Sequence, residues 1–298
     1  MDVIAIKGLE KVFGDRQVLS NISFSVGQGK ICGFIGPNGA GKTTTIRVLL
    51  NLIKPTNGNC QILGMDLSDN SYLKEVGAMI EGPAFYPNLS GLSNLKVLAA
   101  LGGIDSKRAD ELIKLVGLGD RAKSKFKSYS LGMKQRLGIA AALLPDPKIL
   151  ILDEPTNGLD PNGIKEMREL IKSLSAQDKT ILVSSHLLSE LEAICDSIVM
   201  IKDGKIILDK EINQISNVSS ADLILFPEYA IDVRRLFHIL EKAGVRAEIN
   251  NGAVAVAGSD YSGAELNRLA QSAGVTLKLI TSAQNTLEAR FFELVANG

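Results

Sequence analysis

A glycine-rich run that begins at residue 36 limits what this chain can fold into more than any other stretch. The run matches the pattern G-x-x-x-x-G-K-[ST] of a phosphate-binding loop. In order, its residues are Gly36, Pro37, Asn38, Gly39, Ala40, Gly41, Lys42 and Thr43, and Thr44 follows. The apolar stretch over 30–35 predicts a buried strand before the run, and the apolar spacing over 43–52 predicts a helix after it. A strand that turns into a helix through glycines directs several backbone N–H groups at one point, at the positive end of the helix dipole.

Two side chains of this loop carry distinct chemistry. Lys42 offers a charge that reaches the β- and γ-phosphates of a nucleotide, and the hydroxyl of Thr43 is a ligand for Mg²⁺. The alternative is a chance match in a glycine-rich turn, which the flanking strand and helix disfavour. The loop therefore predicts a site for a nucleoside triphosphate and Mg²⁺.

The composition narrows the class of protein. The 298 residues contain 33 basic and 33 acidic side chains, so no net charge favours a nucleic acid partner or an acidic membrane surface. Three single cysteines without metal-binding spacing are typical of a reducing compartment. No apolar stretch approaches the roughly 18 residues of a membrane span, and no signal peptide is evident. We expect a cytosolic protein without a nucleic acid partner, and any action at a membrane would need another polypeptide to supply the span.

The periodicity predicts two domains. Residues 1–214 are expected to form an α/β domain with a mostly parallel sheet, an antiparallel layer near the N-terminus and an inserted helical subdomain over about 83–145. Between the later strands of this domain, helices are predicted over 162–174 and 187–195. A polar linker follows. Residues 215–298 are expected to form a small α+β domain in the ferredoxin-like order β-α-β-β-α-β, with a last amphipathic helix over 287–295.

Two carboxylates follow a strongly apolar strand over 149–152. The carboxyl ends of parallel strands are where α/β sheets bind ligands, so Asp153 and Glu154 are predicted to emerge beside the phosphate loop. Asp153 is placed to hold Mg²⁺ through water, and Glu154 to polarise the attacking water as a general base. The alternative is a pair of solvated turn acids, which a complete phosphate loop nearby disfavours.

Three further residues are candidates for nucleotide contacts. His186 ends a strand over 180–185 that is expected beside Glu154, so it can contact the γ-phosphate, whereas His238 is interpreted as structural. Ser130 is predicted to cap a helix, and a capped helix start is an anion site. Phe13 precedes a turn, where an exposed ring can stack on adenine, although a place in the core is equally consistent with the local sequence.

In order and spacing, these motifs resemble those of the ATP-binding subunits of ATP-binding cassette (ABC) transporters. The resemblance covers residues 3 to about 210. The matching segments are the phosphate loop over 36–44, the signature sequence over 129–136, the Mg²⁺ and base strand over 149–154, the loop over 157–160 and the switch histidine His186.

The resemblance implies ATP as the nucleotide and a head-to-tail dimer, here a homodimer, that forms when ATP binds. Each ATP would lie between Lys42 of one subunit and Ser130 and Gly132 of the other, and Asp160 would help to join the two sites. It also implies a separate polytopic membrane permease that holds the chain at the inner face of the cell membrane.

Two departures from the usual motifs point to one branch of the family. Leu131 and Met133 stand where the signature usually has Gly and Gln, and Glu81 stands where a Gln usually contacts Mg²⁺. These features are similar to the bacitracin- and lantibiotic-export branch, which implies an ABC-2 type permease and export of, or immunity to, a peptide antibiotic. The alternatives are a soluble ABC ATPase without a transport role and an ATP-sensing regulator.

Overall fold

The computed structural model describes residues 1–80, 84–212, 214, 223–250, 252–256 and 261–282. The chain divides into two compact units, with the boundary between Asn213 and Gln214. The predicted Mg²⁺ ligand Glu81 and the predicted helix over 287–295 lie outside the described residues.

Among the described residues, the first unit combines ten strands and six α-helices, with three short 3-10 helices between them. Its strands are β1 (Asp2–Phe13), β2 (Arg16–Gly27), β3 (Ile31–Ile35), β4 (Asn57–Ile62), β5 (Met65–Asp66), β6 (Val76–Met79), β7 (Ile149–Leu152), β8 (Thr180–Ser185), β9 (Ser197–Lys202) and β10 (Lys205–Glu211). Its helices are α1 (Lys42–Leu49), α2 (Gly91–Leu101), α3 (Ser106–Leu115), α4 (Leu131–Ala142), α5 (Pro161–Ser175) and α6 (Leu188–Leu191).

A six-stranded sheet forms the centre of this unit, in the order β10-β9-β3-β8-β7-β6. The neighbouring strands from β9 to β6 pair in parallel, and only β10 is antiparallel. All residues of β3, β7 and β8 are buried, which is typical of central parallel strands and agrees with their largely apolar sequences. The carboxyl ends of these three neighbouring strands meet at one edge, and the predicted site residues follow them there.

The antiparallel layer predicted near the N-terminus is confirmed. Strands β2, β1, β4 and β5 form a second sheet in that order. Alternate residues such as Ile4, Ile6 and Ile22 are buried, so one face of the sheet packs into the main hydrophobic core.

The inserted helical region contains α2, α3 and α4. Each helix begins at a polar cap, where the side chains of Ser90, Asp105 and Ser130 accept hydrogen bonds from backbone N–H groups of the first turn. The prediction that Ser130 caps a helix is therefore confirmed. None of the helices in the described part of the chain is both long enough and apolar enough to cross a bilayer.

Two predicted helix lengths are wrong. Helix α1 ends at Leu49 rather than at residue 52, and the helix predicted over 187–195 is limited to α6. The second difference has a local cause, because Asp196 is held against β3. Its backbone N–H donates to Ile31 O at 2.8 Å, and its side-chain Oδ2 accepts from Ile31 N at 2.8 Å. The chain must leave the helix before that point to start β9.

The second unit has the predicted β-α-β-β-α-β order. Its elements are β11 (Leu223–Pro227), α7 (Asp232–Lys242), β12 (Ala247–Asn250), β13 (Ala253–Val256), α8 (Gly263–Ser272) and β14 (Leu277–Ser282). The strands pair antiparallel in the order β12-β13-β11-β14. A separate core that includes Leu225, Leu236 and Leu266 holds the two helices on this sheet.

Candidate active site

The backbone of the phosphate loop is packed so closely that glycine is required at two positions. A Cβ on Gly36 would lie 2.2 Å from the carbonyl oxygen of Ile201, and a Cβ on Gly41 would lie 2.5 Å from Leu19 Cδ2. Gly41 also has a φ of 113°, which side chains rarely adopt. The N–H of Gly36 donates to the carbonyl of Ser185 at 3.2 Å, which ties the loop to the end of β8.

This packing predicts unequal effects of alanine within one loop. Gly36→Ala is expected to lower the free energy of unfolding by about 3 kcal/mol, because its Cβ would overlap a backbone atom that cannot move freely. Gly39→Ala is expected to cost about 1 kcal/mol, since its φ is positive but nothing lies within 4 Å of the added atom. Urea unfolding of both variants measures this difference. Equal losses, or a larger loss at Gly39, would contradict the described packing.

The amine of Lys42 is buried and fully engaged. Its side chain is 5% exposed, and Nζ donates hydrogen bonds to the carbonyls of Gly36 at 2.6 Å and Pro37 at 3.2 Å. An ion pair with Glu154 Oε1 at 3.1 Å takes the remaining position. An ammonium group has three N–H donors, so phosphate oxygens that bind Lys42 must replace one of these partners.

Thr43 and Asp153 bring two oxygen ligands together. Thr43 Oγ1 donates to Asp153 Oδ2 at 2.7 Å, and Ser184 Oγ donates to Asp153 Oδ1 at 2.5 Å. Ser184 Oγ also accepts from the backbone N–H of Glu154 at 2.9 Å. A hydroxyl beside a carboxylate suits Mg²⁺, which prefers oxygen ligands and completes its shell with water and substrate phosphates. The residues present therefore fit the predicted ion.

Glu154 joins the phosphate loop to the switch histidine. Its Oε1 pairs with Lys42, and its Oε2 lies 2.8 Å from His186 Nδ1, which as an N–H donates to it. The backbone of Glu154 is left-handed, with a φ of 49°. Such a conformation costs about 1–2 kcal/mol for a residue with a side chain, and strain of this kind is concentrated at functional sites.

The predicted signature residues lie together at a different place. Ser130, Gly132 and Asp160 line a cavity of about 400 Å³ between the N-terminal ends of α4 and α5. Arg136 and Glu166 also line it and form an ion pair at 3.2 Å. Among the described residues, the lining of this cavity includes none from the phosphate loop. The structure therefore assembles two groups, one around Lys42 and one around Ser130.

Leu131 and Phe13 are both exposed. Leu131 is 46% exposed and also lines this cavity. Its Cδ2 would lie 2.9 Å from a Cβ on Gly158, so this unusual signature residue packs on the loop that follows Glu154. Phe13 is 47% exposed, and Lys11 Nζ lies 4.7 Å from its ring centroid. The alternative that Phe13 belongs to the core is wrong, and its stacking on adenine stays a prediction.

The sequence did not single out Ser184 or the hydroxyls near it. Ser184 and Ser185 are two consecutive hydroxyl residues at the buried end of an apolar strand, and that pattern is the one signal that could have identified them.

The three cysteines take no part in the site. Burial raises the pKa of the Cys32 thiol to about 12 and that of the Cys60 thiol to about 11, and raises the pKa of Cys195 as well, so all three are neutral.

Comparison with known proteins assigns the family. The family described as ABC transporter matches residues 19–157. The chain is 39% identical to the bacitracin transport ATP-binding protein BcrA of Bacillus licheniformis over 312 residues, which covers 99% of this chain and 98% of that relative. This chain belongs to the ABC transporter ATP-binding proteins. It is also 45% identical to the lantibiotic transport ATP-binding protein SrtF of Streptococcus pyogenes over 216 residues, covering 72% of this chain and 94% of SrtF.

A solved structure agrees with the ABC family. The chain resembles the dimeric post-hydrolysis state of an ATP-binding cassette bound to ADP and phosphate, with 27% identity and a TM-score of 0.63. The match covers 70% of this chain and 98% of that structure. The predicted fold and family are confirmed, and as an ABC cassette the chain is an ATPase. The roles of individual residues stay predictions.

Proposed function

We propose that the chain is the ATP-hydrolysing motor of a transporter that exports, or gives immunity to, a peptide antibiotic or a similar amphiphile. The names of BcrA and SrtF support this cargo class. The observation that carries the motor function is the Glu154 carboxylate, which lies between the phosphate-loop lysine and His186.

The contacts of Glu154 support a mechanism in which the substrate frees the base. When the γ-phosphate takes the place of Glu154 at Lys42, Oε1 becomes available to a water molecule, while His186 still holds Oε2. The water oxygen then attacks the γ-phosphorus, its proton passes to Glu154, and the bond to ADP breaks. The charge of Lys42 stabilises the negative charge of the transferred phosphoryl group.

We propose that Thr43 and Asp153 hold Mg²⁺ together with the nucleotide. The ion would neutralise charge on the β- and γ-phosphate oxygens. Among the described residues no group of three His, Cys, Asp or Glu side chains could hold a metal alone. That fits an ion that is bound through one carboxylate and the substrate rather than in a protein cage.

A head-to-tail homodimer would complete the site. The group around Ser130 and Gly132 lines its own cavity without the phosphate loop, so a second copy is the simplest source of a signature sequence for each ATP. The similar solved structure is itself dimeric, which supports a dimer. In the proposed dimer, Asp160 of each copy lies beside the Ser130 group and connects the two sites.

We propose that a separate polytopic permease of the ABC-2 type binds the segment after residue 84 and keeps the chain at the inner membrane face. Apolar side chains are exposed there, with Tyr86 at 61% and Leu89 at 38%. Asn94 holds this segment through its side chain, which accepts from Tyr86 N at 2.8 Å and donates to Tyr86 O at 3.1 Å. An exposed tyrosine on a backbone held in this way suits an interface, because tyrosine is enriched among the residues that dominate binding.

Co-purification with the permease tests this proposal. The wild-type chain is expected to co-purify with a polytopic membrane protein, and Tyr86→Asp to reduce the amount recovered by about tenfold or more. Tyr229→Asp is the matched control, because Tyr229 is 60% exposed in the second unit. If no membrane protein co-purifies, a soluble ABC ATPase or an ATP-sensing regulator is favoured. Equal recovery of both variants would place the permease contact elsewhere.

A further inference from the structure

The carboxylate of Glu190 is buried on helix α6 and has no part in the mechanism above. Among the described residues, it is one of the few acidic side chains that are buried. One oxygen, Oε2, accepts hydrogen bonds from Thr156 Oγ1 at 2.5 Å and from Ser185 Oγ at 2.9 Å. Burying a carboxylate costs free energy unless hydrogen bonds compensate for the lost water. A buried carboxylate that makes such bonds is therefore a candidate for a specific structural role.

The two hydroxyls that Glu190 holds lie at the two loops that carry Glu154 and His186. Thr156 follows two residues after Glu154, and Ser185 immediately precedes His186. The carbonyl of Ser185 also accepts from the N–H of Gly36 at 3.2 Å. One carboxylate oxygen therefore joins the loop of Glu154 to the start of the loop of His186, and the carbonyl of Ser185 joins that point to the phosphate loop.

The two residues after Ser185 are less covered than Ser185 itself. Ser185 is fully buried at the end of β8, whereas the side chain of His186 is 31% exposed and Leu187 is 41% exposed. Ser185 Oγ accepts from the N–H of Leu187 at 3.0 Å, so the hydroxyl that donates to Glu190 also fixes the backbone around His186. A hydrogen bond tolerates a displacement of only a few tenths of an ångström, and small misplacements of catalytic groups cost large factors in rate.

We propose that Glu190 is a positioning residue that sets the contact between Glu154 Oε2 and His186 Nδ1 by holding Thr156 and Ser185 at one point. The consequence for catalysis rests on the proposed roles of Glu154 and His186. Glu190 itself touches neither substrate nor water in this role. Its effect on turnover passes through the geometry of the two loops.

The ring nitrogens of His186 report this geometry directly. The chain has two histidines, so His238→Gln leaves His186 as the single imidazole in a ¹⁵N–¹H spectrum of the nucleotide-free full chain. Glu190→Ala is expected to move the Nδ1–H signal toward its position in Glu154→Gln, where the partner carboxylate is gone. Glu190→Gln is expected to keep the signal, because the amide oxygen still accepts from a hydroxyl. Asp146→Asn, which weakens the ion pair of Asp146 with Lys179 far from His186, is the control for general destabilisation.

Kinetics complete the test. Glu190→Ala is expected to lower kcat by about 10- to 100-fold while the dissociation constant for ATP changes less than about twofold. If that variant does not fold, Ser185→Ala removes the hydrogen bond between Ser185 and Glu190 and is expected to move the Nδ1–H signal of His186 in the same direction. An unmoved signal in a folded variant would overturn the positioning role. A moved signal with normal kcat would confirm the positioning and contradict instead the catalytic roles of Glu154 and His186.

Discussion

Glu154→Gln is expected to produce a chain that hydrolyses ATP at least about 100-fold more slowly than wild type, because a neutral amide cannot accept the proton of the attacking water. The same change is expected to tighten ATP binding about fivefold. In the nucleotide-free chain the carboxylate occupies Lys42 at 3.1 Å, and ATP no longer has to displace it. A fivefold change corresponds to about 1 kcal/mol, a reasonable value for one ion pair.

Single-turnover phosphate release and calorimetric titration measure these two effects separately. Glu169→Gln is the matched control, since Glu169 is an exposed carboxylate on α5 away from the site, and it should leave both quantities unchanged. Near-normal phosphate release from Glu154→Gln would refute the role of Glu154 as the base. If Glu154→Gln releases phosphate slowly but binds ATP with unchanged affinity, Glu154 is still the base, but it does not compete with the phosphates of ATP for Lys42.

Lys42→Ala is expected to weaken ATP binding by about 10- to 100-fold. Hydrogen bonds to a charged group contribute about 1.5–3 kcal/mol each, and the buried amine is the cation that the phosphate loop itself supplies. The substitution also leaves the Glu154 carboxylate without its counter-charge beside the incoming phosphates, which adds repulsion. The effect on affinity should therefore be opposite in sign to that of Glu154→Gln.

Calorimetry with Mg-ATP checks this prediction, and Lys165→Ala is the control because Lys165 is exposed on α5. A folded Lys42→Ala chain with wild-type affinity would show that the backbone N–H groups bind the phosphates alone. In the double variant with Glu154→Gln, the loss of affinity should be smaller than in Lys42→Ala, since the repulsive carboxylate is absent.

The sequence predicted the phosphate loop well because its determinants are local. Gly36 and Gly41 are required by close packing, and Lys42 follows them at fixed spacing on the first turn of α1. The convergence of Asp153 and His186 at the loop was also predictable, since residues after neighbouring parallel strands share one edge of the sheet.

The pairing of individual atoms was not predictable in the same way. The ion pair between Lys42 and Glu154 joins segments far apart in sequence, and Glu154 adopts a left-handed backbone that residues with a side chain rarely adopt. Glu190 belongs to no motif, and its burial could not be predicted either, because an acidic residue in a short helix is ordinarily exposed to solvent. The early end of α6 was missed for a related reason, since it depends on hydrogen bonds between Asp196 and Ile31.

Phosphate release by the full chain, purified with its permease and supplied with Mg-ATP, tests the central claim most directly. The account predicts steady release by the wild-type complex and at least about 100-fold slower release by the Glu154→Gln complex, although that variant binds ATP. A wild-type complex that neither binds nor cleaves ATP, or equal rates in the two complexes, would contradict it.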